Sequence, residues 1–335
     1  MITRVPNIRQ DNRPLPNMRT IQLTKTDGIE ALQCADIPRP EPGRDECLVR
    51  IRAAGVNPLD WLICQGVLPH LLDRDLPWIP GWDVSGVIES VGANVTAFAP
   101  GDAVCGMSRL PGAGGAFAEY TTMSGDEITP KPDSLSHSEA AAVPMVGQTA
   151  FHALYEAGDL GPDERVLVHA AAGGVGHMAV QFATHTGAHV AGTASGRNES
   201  FLHKLGVDEF VNYREERFED VVDGVDFVLD TVGGDVLERS VDIVKPDGVV
   251  ITLPEPPSKE AVKRYQTEHN VDVRFFDVIT DADPATLRQV ATHVDAGVVA
   301  PRVSDVYPLS EVQDALARSA EGHVRGKLVL DPTAR

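Results

Sequence analysis

VLVHAAAGGVGHMAVQFA, residues 166–183, sets an apolar run against a cluster of small residues and then resumes its apolar positions at helical spacing. A strand ending at His169, small residues through Gly176 and a helix beyond make the arrangement in which a dinucleotide pyrophosphate lies over a helix N-terminus. The free backbone N–H groups of Ala172, Gly173, Gly174, Val175 and Gly176 would stabilise phosphate charge there, helped by the positive end of the helix dipole. Against the G-x-G-x-x-G fingerprint the first glycine is Ala171. Gly173 and Gly176 keep the second and third roles, backbone approach to phosphate and close helix packing. So short a motif is informative only between a strand and a helix, and both flank it here.

Outward from this turn the alternation continues. Apolar runs RVLVHA, HVAGTA, EFVNY, DFVLDTV, GVVITL and VRFFDV are separated by helical stretches such as GHMAVQFATHT and NESFLHKLG. The pattern predicts an α/β fold with a doubly wound parallel sheet. From residue 18 to about 130 the character differs: ECLVRIRAAGV, WDVSGVIESVG, AVCGM and FAEYTTM are short strands punctuated by Pro-Gly and Gly-Asp. That is an all-β, barrel-like region. The tail YPLSEVQDALARSAEGHVRGKLVL supplies one helix and one strand, expected to return to the first domain. With 335 residues two domains are expected, because single cores stop growing near ~250–300 residues. The expected organisation is a loose arm over 1–17, a β-rich domain over 18–142 completed by 300–335, and a nucleotide-binding domain over 143–299.

The end of the second strand of such a sheet separates NAD from NADP, because an acid there accepts the ribose 2′-hydroxyl of NAD. Here the strand end reads GTASGRN, residues 192–198, and carries no acid. Thr193 lies on it, and Ser195 and Arg197 offer a hydroxyl and a planar cation suited to a 2′-phosphate. NADP is the expected cofactor.

Composition excludes other classes. The 49 acidic residues outnumber 29 basic ones for a net charge of −20, which argues against nucleic acid and anionic membranes as partners. Only seven of the basic residues are lysines. Acid-rich, lysine-poor surfaces suit a high-salt cytoplasm, where screening relieves self-repulsion, so a halophilic protein is expected. No apolar stretch approaches the ~18 residues of a membrane span, and no apolar signal core opens the sequence. A cytoplasmic location follows as an expectation. Cys34, Cys47, Cys64 and Cys105 never form C-x-x-C and read as free thiols. The serines have no G-x-S-x-G setting, which leaves hydrolase chemistry unsupported.

With these pieces placed, the chain resembles the medium-chain dehydrogenase/reductase superfamily, and within it the zinc-free, zeta-crystallin-like quinone oxidoreductase branch. The matching stretches, in family order from about Met18 onward, are AAGVNPLDWLICQG, IPGWDVSGVIESVGANVTAFAPGDAV, GGAFAEYTTM, AAAVPMVGQTAFHAL, HAAAGGVGHMAVQFA, VLDTVGGD and HVRGKLVL. The resemblance implies a GroES-like β-barrel domain, a Rossmann domain inserted into it, and a homodimer, with GVVITL or RFFDV as the pairing edge. Zinc dehydrogenases of the superfamily place a cysteine ligand after the AAG-type turn and a His-Glu pair after the Pro-Gly. Here those segments are NPLDW, with Asn57 and Asp60, and PGWDV, with Trp82 and Asp83; the four-cysteine lobe is missing as well. No metal site is therefore expected. Without a Lewis acid, hydride must go to an acceptor that is already electrophilic, a quinone or the β-carbon of an α,β-unsaturated carbonyl.

The same resemblance distributes roles. Asn57 lies near the nicotinamide ribose, Trp61 walls the substrate cleft, and Thr149 contacts the cofactor from the start of the Rossmann domain. Tyr213 joins Ser195 and Arg197 at the 2′-phosphate. Val232, Leu253, Pro254, Phe275 and Phe276 are placed with the cofactor, the last four at its nicotinamide end, and Lys327 reaches in from the C-terminal return. Asp60 could donate a proton only if burial raised its pKa. His169 and His152 read as core histidines, Trp82 as packing and Tyr120 as a pin of the β-domain. Two other functions stay open: a zinc-free alcohol or sugar dehydrogenase, which needs an acid/base beside the nicotinamide, and a cofactor-binding protein without turnover.

Overall fold

Short β-branched runs bounded by Gly and Pro set the strands, and their pairing gives two large sheets. The computed structural model describes residues 16–67, 76–109, 112, 114–277 and 284–334. Residues 1–15 of the expected arm and Val278 of the expected strand VRFFDV lie outside the described residues.

The N-terminal half carries β1 (Asn17–Leu23), β2 (Leu32–Pro38), β3 (Glu46–Val56), α1 (Pro58–Cys64), β4 (Asp83–Val91), β5 (Ala103–Met107), β6 (Tyr120–Ser124), β7 (Ile128–Pro130), α2 (His137–Ala141) and α3 (Pro144–Phe151). The α/β half follows with β8 (Arg165–Val168), α4 (Gly174–Thr186), β9 (His189–Ala194), α5 (Glu199–Leu205), β10 (Glu209–Asn212), β11 (Val225–Asp230), α6 (Asp235–Val241), β12 (Val244–Thr252), α7 (Lys259–His269), β13 (Asp272–Phe275) and α8 (Pro284–Asp295). The tail supplies β14 (Val303–Pro308), α9 (Val312–Ala320) and β15 (Lys327–Asp331).

All pairings in the second sheet are parallel, in the order β10-β9-β8-β11-β12-β13. Its central strands are apolar throughout because both faces are covered. Val166, Val168, Leu229 and Ile251 face one core with Met178 and Phe182 of α4. Leu167, Val228 and Val250 face the other with Leu237 and Val241 of α6 and Tyr265 of α7. The one-residue offset between these sets is the period-two signature of a strand. β12 is hydrogen-bonded on both sides, so of the two strands expected at a dimer edge only β13 lies at one.

The first sheet runs β14-β15-β3-β4-β5-β7 with β6 also on β3, forming the GroES-like part of the fold over a core that includes Ile51, Trp82, Phe117 and Leu330. The C-terminal strand returns to this sheet, where Leu328 pairs with Val56. On the other side of β3, Gly55 pairs with Asp83. Asn57, Asp83 and Lys327 are thus brought to one place by the registers of three adjacent strands. Gly55 makes room for this: a Cβ there would lie 2.9 Å from the Asp83 carboxylate and against the Ala141 carbonyl.

At the start of α4 the helix presses closely on β8. A Cβ on Gly176 would meet the Ala170 carbonyl oxygen and sit 2.7 Å from the Ala171 Cα, both backbone atoms that cannot swing aside. Gly176→Ala should therefore destabilise the fold by roughly 1–3 kcal/mol, the cost of overpacking. Denaturant unfolding would show a lowered midpoint with an unchanged slope; an unchanged midpoint would mean that helix and strand are less tightly apposed.

Candidate active site

Strand, turn of small residues and helix follow one another between β8 and α4 as the sequence suggests, but the Gly173 N–H is not free, being taken up within the turn. Ala170 adopts a left-handed φ of 44°, its carbonyl accepts the Gly173 N–H at 2.8 Å, and the Ala171 N–H donates to the Thr193 carbonyl at 3.0 Å. The Ala172 carbonyl accepts the Gly326 N–H at 2.8 Å, which ties the turn to the C-terminal return. A Cβ on Gly174 would lie 3.1 Å from Val146 and 3.4 Å from the Lys327 side chain. The opening of α4 and the ends of β3 and β15 are therefore neighbours.

At the end of β9, Ser195 is buried and its hydroxyl accepts from the Asn198 amide at 3.2 Å. The Arg197 guanidinium donates to the His323 carbonyl at 2.7 Å. A second cation arrives from the tail: Arg325 donates to Asn198 Oδ1 and to the Arg197 carbonyl, both at 2.7 Å, with its guanidinium over Phe201. Tyr213, at the end of neighbouring β10, is half exposed, and its N–H reaches the Ala194 carbonyl. The structure thus gathers Ser195, Arg197 and Tyr213. Arg325 went unread in the sequence, although it stands two residues before Lys327 in HVRGKLVL.

Asn57, Asp60, Asp83 and Lys327 form a buried polar floor, each at most 3% exposed. Lys327 Nζ donates to the Val56 carbonyl at 2.7 Å, to Asn57 Oδ1, and to Asp83 Oδ2 at 3.2 Å. Three acceptors match the three protons of an ammonium. Asp83 also accepts from Asn57 Nδ2 at 3.0 Å and from the Met145 N–H at 2.8 Å, in the first turn of α3. These contacts settle the Asn57 amide: its oxygen faces the cation and its nitrogen the carboxylate.

Asp60 differs sharply from Asp83. Its Oδ2 accepts the Asn57 N–H at 2.6 Å, but its Oδ1 is buried without a partner. Burial outweighs that hydrogen bond and the pull of Lys327, and pushes the carboxyl up to about 8. At neutral pH it is mostly protonated. The condition that the sequence left open for Asp60 is met.

The other expected residues divide. Trp61, on α1 beside Asp60, is half-buried with an unpartnered Nε1. Thr149 is buried, and its hydroxyl bonds back to the Met145 carbonyl at 2.8 Å. Val232 is half exposed; Pro254 stands over the adjoining Gly233, with Leu253 and Phe275 half-buried on the neighbouring strand ends. Phe276 is buried and stacks on the His152 ring with centroids 4.3 Å apart. Trp82 is fully buried and donates to the Gly112 carbonyl at 3.1 Å, so it packs as expected. Tyr120 is half-buried beneath the Arg39 guanidinium. His177, on α4, was also missed: Nδ1–H donates to the Gly173 carbonyl at 2.8 Å and Nε2 accepts the Arg302 N–H at 3.0 Å.

A parallel sheet whose first helix opens on a glycine turn, set against a β-barrel that supplies the adjoining floor, defines the dehydrogenase/reductase class. Residues 43–133 match the alcohol dehydrogenase GroES-like domain and residues 205–330 the family described as zinc-binding dehydrogenase. A chloroplastic quinone-oxidoreductase homolog from Spinacia oleracea is 31% identical over 91% of this chain and 95% of its own. An NADPH-dependent alkenal/one oxidoreductase, also chloroplastic, from Arabidopsis thaliana is 29% identical over 97% of this chain and 82% of its own. The quinone oxidoreductase structure from Coxiella burnetii superposes with a TM-score of 0.86 at 33% identity, covering 95% of this chain and all of that one. The chain belongs to the medium-chain dehydrogenase/reductase superfamily, in its zinc-free quinone oxidoreductase branch, and is an oxidoreductase.

Zinc does not fit this floor. The two zinc-ligand segments supply an amide, an indole, a carboxyl that burial keeps mostly protonated and a carboxylate already paired with an ammonium, and a dication at Asp83 would meet Lys327. Among the described residues no group of three or more His, Cys, Asp or Glu is placed to hold a metal ion. Nor is any helix of the described residues long and apolar enough to cross a membrane.

The floor and the buried histidines pull stability in opposite directions with pH. Burial holds His169 and His177 down to about 4, so the unfolded chain takes up their protons first. Their contribution is complete above ~6.5 and is lost as pH falls through ~4. Asp60, raised from 3.8 to about 8, contributes fully below 3.8 and loses that contribution as pH rises through 8. Asp60→Asn removes the second effect alone. Its unfolding free energy relative to the parent should climb from pH 4 to pH 8 and then level off; a flat difference would show Asp60 ionised in the folded chain.

Proposed function

We propose that the protein is an NADPH-dependent, zinc-independent reductase of quinones or of the activated double bond of α,β-unsaturated carbonyls. The observation that carries this reading is the Lys327–Asp83–Asn57 floor packed against the opening of α4. It puts a preorganised, metal-free polar surface beside the nucleotide turn. NADPH, when bound, supplies the hydride. The chain's own residues do the rest.

The amides that open α4 hold the diphosphate, and Ser195, Arg197, Arg325 and Tyr213 hold the 2′-phosphate. Asn57, fixed at both ends of its amide, keeps one N–H for the ligand. Trp61 gives the cleft an apolar wall that excludes water and so strengthens the neighbouring electrostatics. Asp60 holds a proton in the floor, while solvent can supply the proton that completes the reduced acceptor. Position rather than Lewis acidity lowers the barrier, which suits acceptors whose developing negative charge is already delocalised.

Stopped-flow oxidation of NADPH with a panel of quinones, enals and ketones tests the reading. Turnover of quinones or enals, unaffected by chelators, is the expected result. Turnover of ketones alone would replace this reading with an alcohol dehydrogenase, and binding without any turnover with a non-catalytic role. Arg325→Ala should raise KM for NADPH about tenfold or more, as expected for a lost charge-assisted hydrogen bond, and leave KM for NADH within about twofold. Equal losses for both cofactors would place the 2′-phosphate elsewhere.

A further inference from the structure

We propose that His169 is a positioning residue for the phosphate turn, acting through a one-way chain of hydrogen bonds from Ser240 to Ala170. The proposal deepens the NADPH reading and rests on it for its effect on cofactor binding. Burial alone makes His169, 1% exposed, look like an ordinary core residue. Its partners show more.

The Ser240 hydroxyl lies 2.6 Å from the Val236 carbonyl, which can only accept, so the single hydroxyl proton is committed there. The same oxygen is 2.8 Å from His169 Nε2. With no proton left to give, it accepts, and Nε2 carries the hydrogen. The neutral ring then leaves Nδ1 bare. Thr193 Oγ1, 3.1 Å away, donates to it. The Thr193 oxygen is free in turn to accept the Ala170 N–H at 3.3 Å. Each proton has one direction available: Ala170 to Thr193, Thr193 to His169, His169 to Ser240, Ser240 to Val236.

This chain ends at the one residue of the turn that needs support. Ala170 holds a left-handed φ of 44°, a region that residues with a Cβ rarely adopt. Its carbonyl must point where it does both to receive Gly173 N–H and to let Gly176 pack beneath it. The histidine is itself braced, with its N–H on the Leu229 carbonyl at 3.0 Å, its carbonyl receiving the Thr231 hydroxyl at 2.9 Å, and its ring edge-on to Phe218. Three elements, β9, α6 and the end of β8, are thereby coupled to the amides expected to face phosphate. Thr193, expected at the cofactor, has its hydroxyl engaged beneath the turn.

Thr193→Val keeps the shape and removes both hydrogen bonds, Thr193→Ser keeps the hydroxyl, and Ser240→Ala breaks the chain at its far end. In the cofactor-free protein, amide exchange over residues 170–176 should accelerate in the valine and alanine variants and return toward the parent rate in the serine variant. The dissociation constant for NADPH should weaken about tenfold in the valine and alanine variants, and in Ser240→Ala kcat at saturating NADPH should stay within about twofold of the parent. Parental exchange at 170–176 in folded Thr193→Val overturns the proposal. So does exchange that rises equally across the whole sheet, which would mark His169 as a core residue only. If the parent itself does not bind NADPH, the cofactor reading fails, while the exchange comparison still decides the role of His169.

Discussion

A lysine ammonium can stay buried among strand ends only if each of its protons finds an acceptor, and the rest of this molecule is arranged so that Lys327 does. The acceptors are the last carbonyl of β3, the Asn57 side chain and the Asp83 carboxylate. The acceptors come from β3, the residue just after it and β4, and the lysine from β15, three neighbouring strands whose registers cannot slip without separating them. Asp83 passes the constraint on to the first turn of α3 through the Met145 N–H. The floor of the barrel is thus tied to α3, whose Val146 and Ala150 pack in the core of the parallel sheet.

Two acidic side chains in that floor are partnered differently. Asp83 receives three donors, one of them the cation. Asp60 receives one and is fully buried, so desolvation decides its protonation. What separates them is the count of donors, and Lys327 is bonded to Asp83 but not to Asp60. Sequence spacing, which puts Asp60 three residues after Asn57 and Asp83 on another strand, contains no hint of that count.

What the sequence disclosed followed from short-range rules. Continuous apolar runs such as Val166–Val168 and the alternation with helices gave the parallel sheet, and the small residues from Ala170 to Gly176 marked the one place where backbones must touch. What it withheld depends on contacts across long separations. Arg325 meets Arg197 only because the tail folds back, and in the sequence three strands lie between His169 and its partner Ser240. The His152–Phe276 stack likewise joins two distant segments, and it leaves Phe276 within the core cluster of the parallel sheet. A lone histidine beside a buried strand carries no mark of whether its ring is merely enclosed or oriented.

The hydrogen bond from Gly326 to the Ala172 carbonyl has a temporal meaning. On a ribosome the six strands of the parallel sheet have all emerged well before residue 326, yet the bend between β8 and α4 still lacks one of its own backbone partners, and the floor still lacks its lysine. The nascent sheet can assemble early, as domains commonly do during synthesis, but its working end is finished only when the tail threads back. Maturation of this pocket therefore waits for the return of residues 326 and 327, long after the sheet beneath it can form.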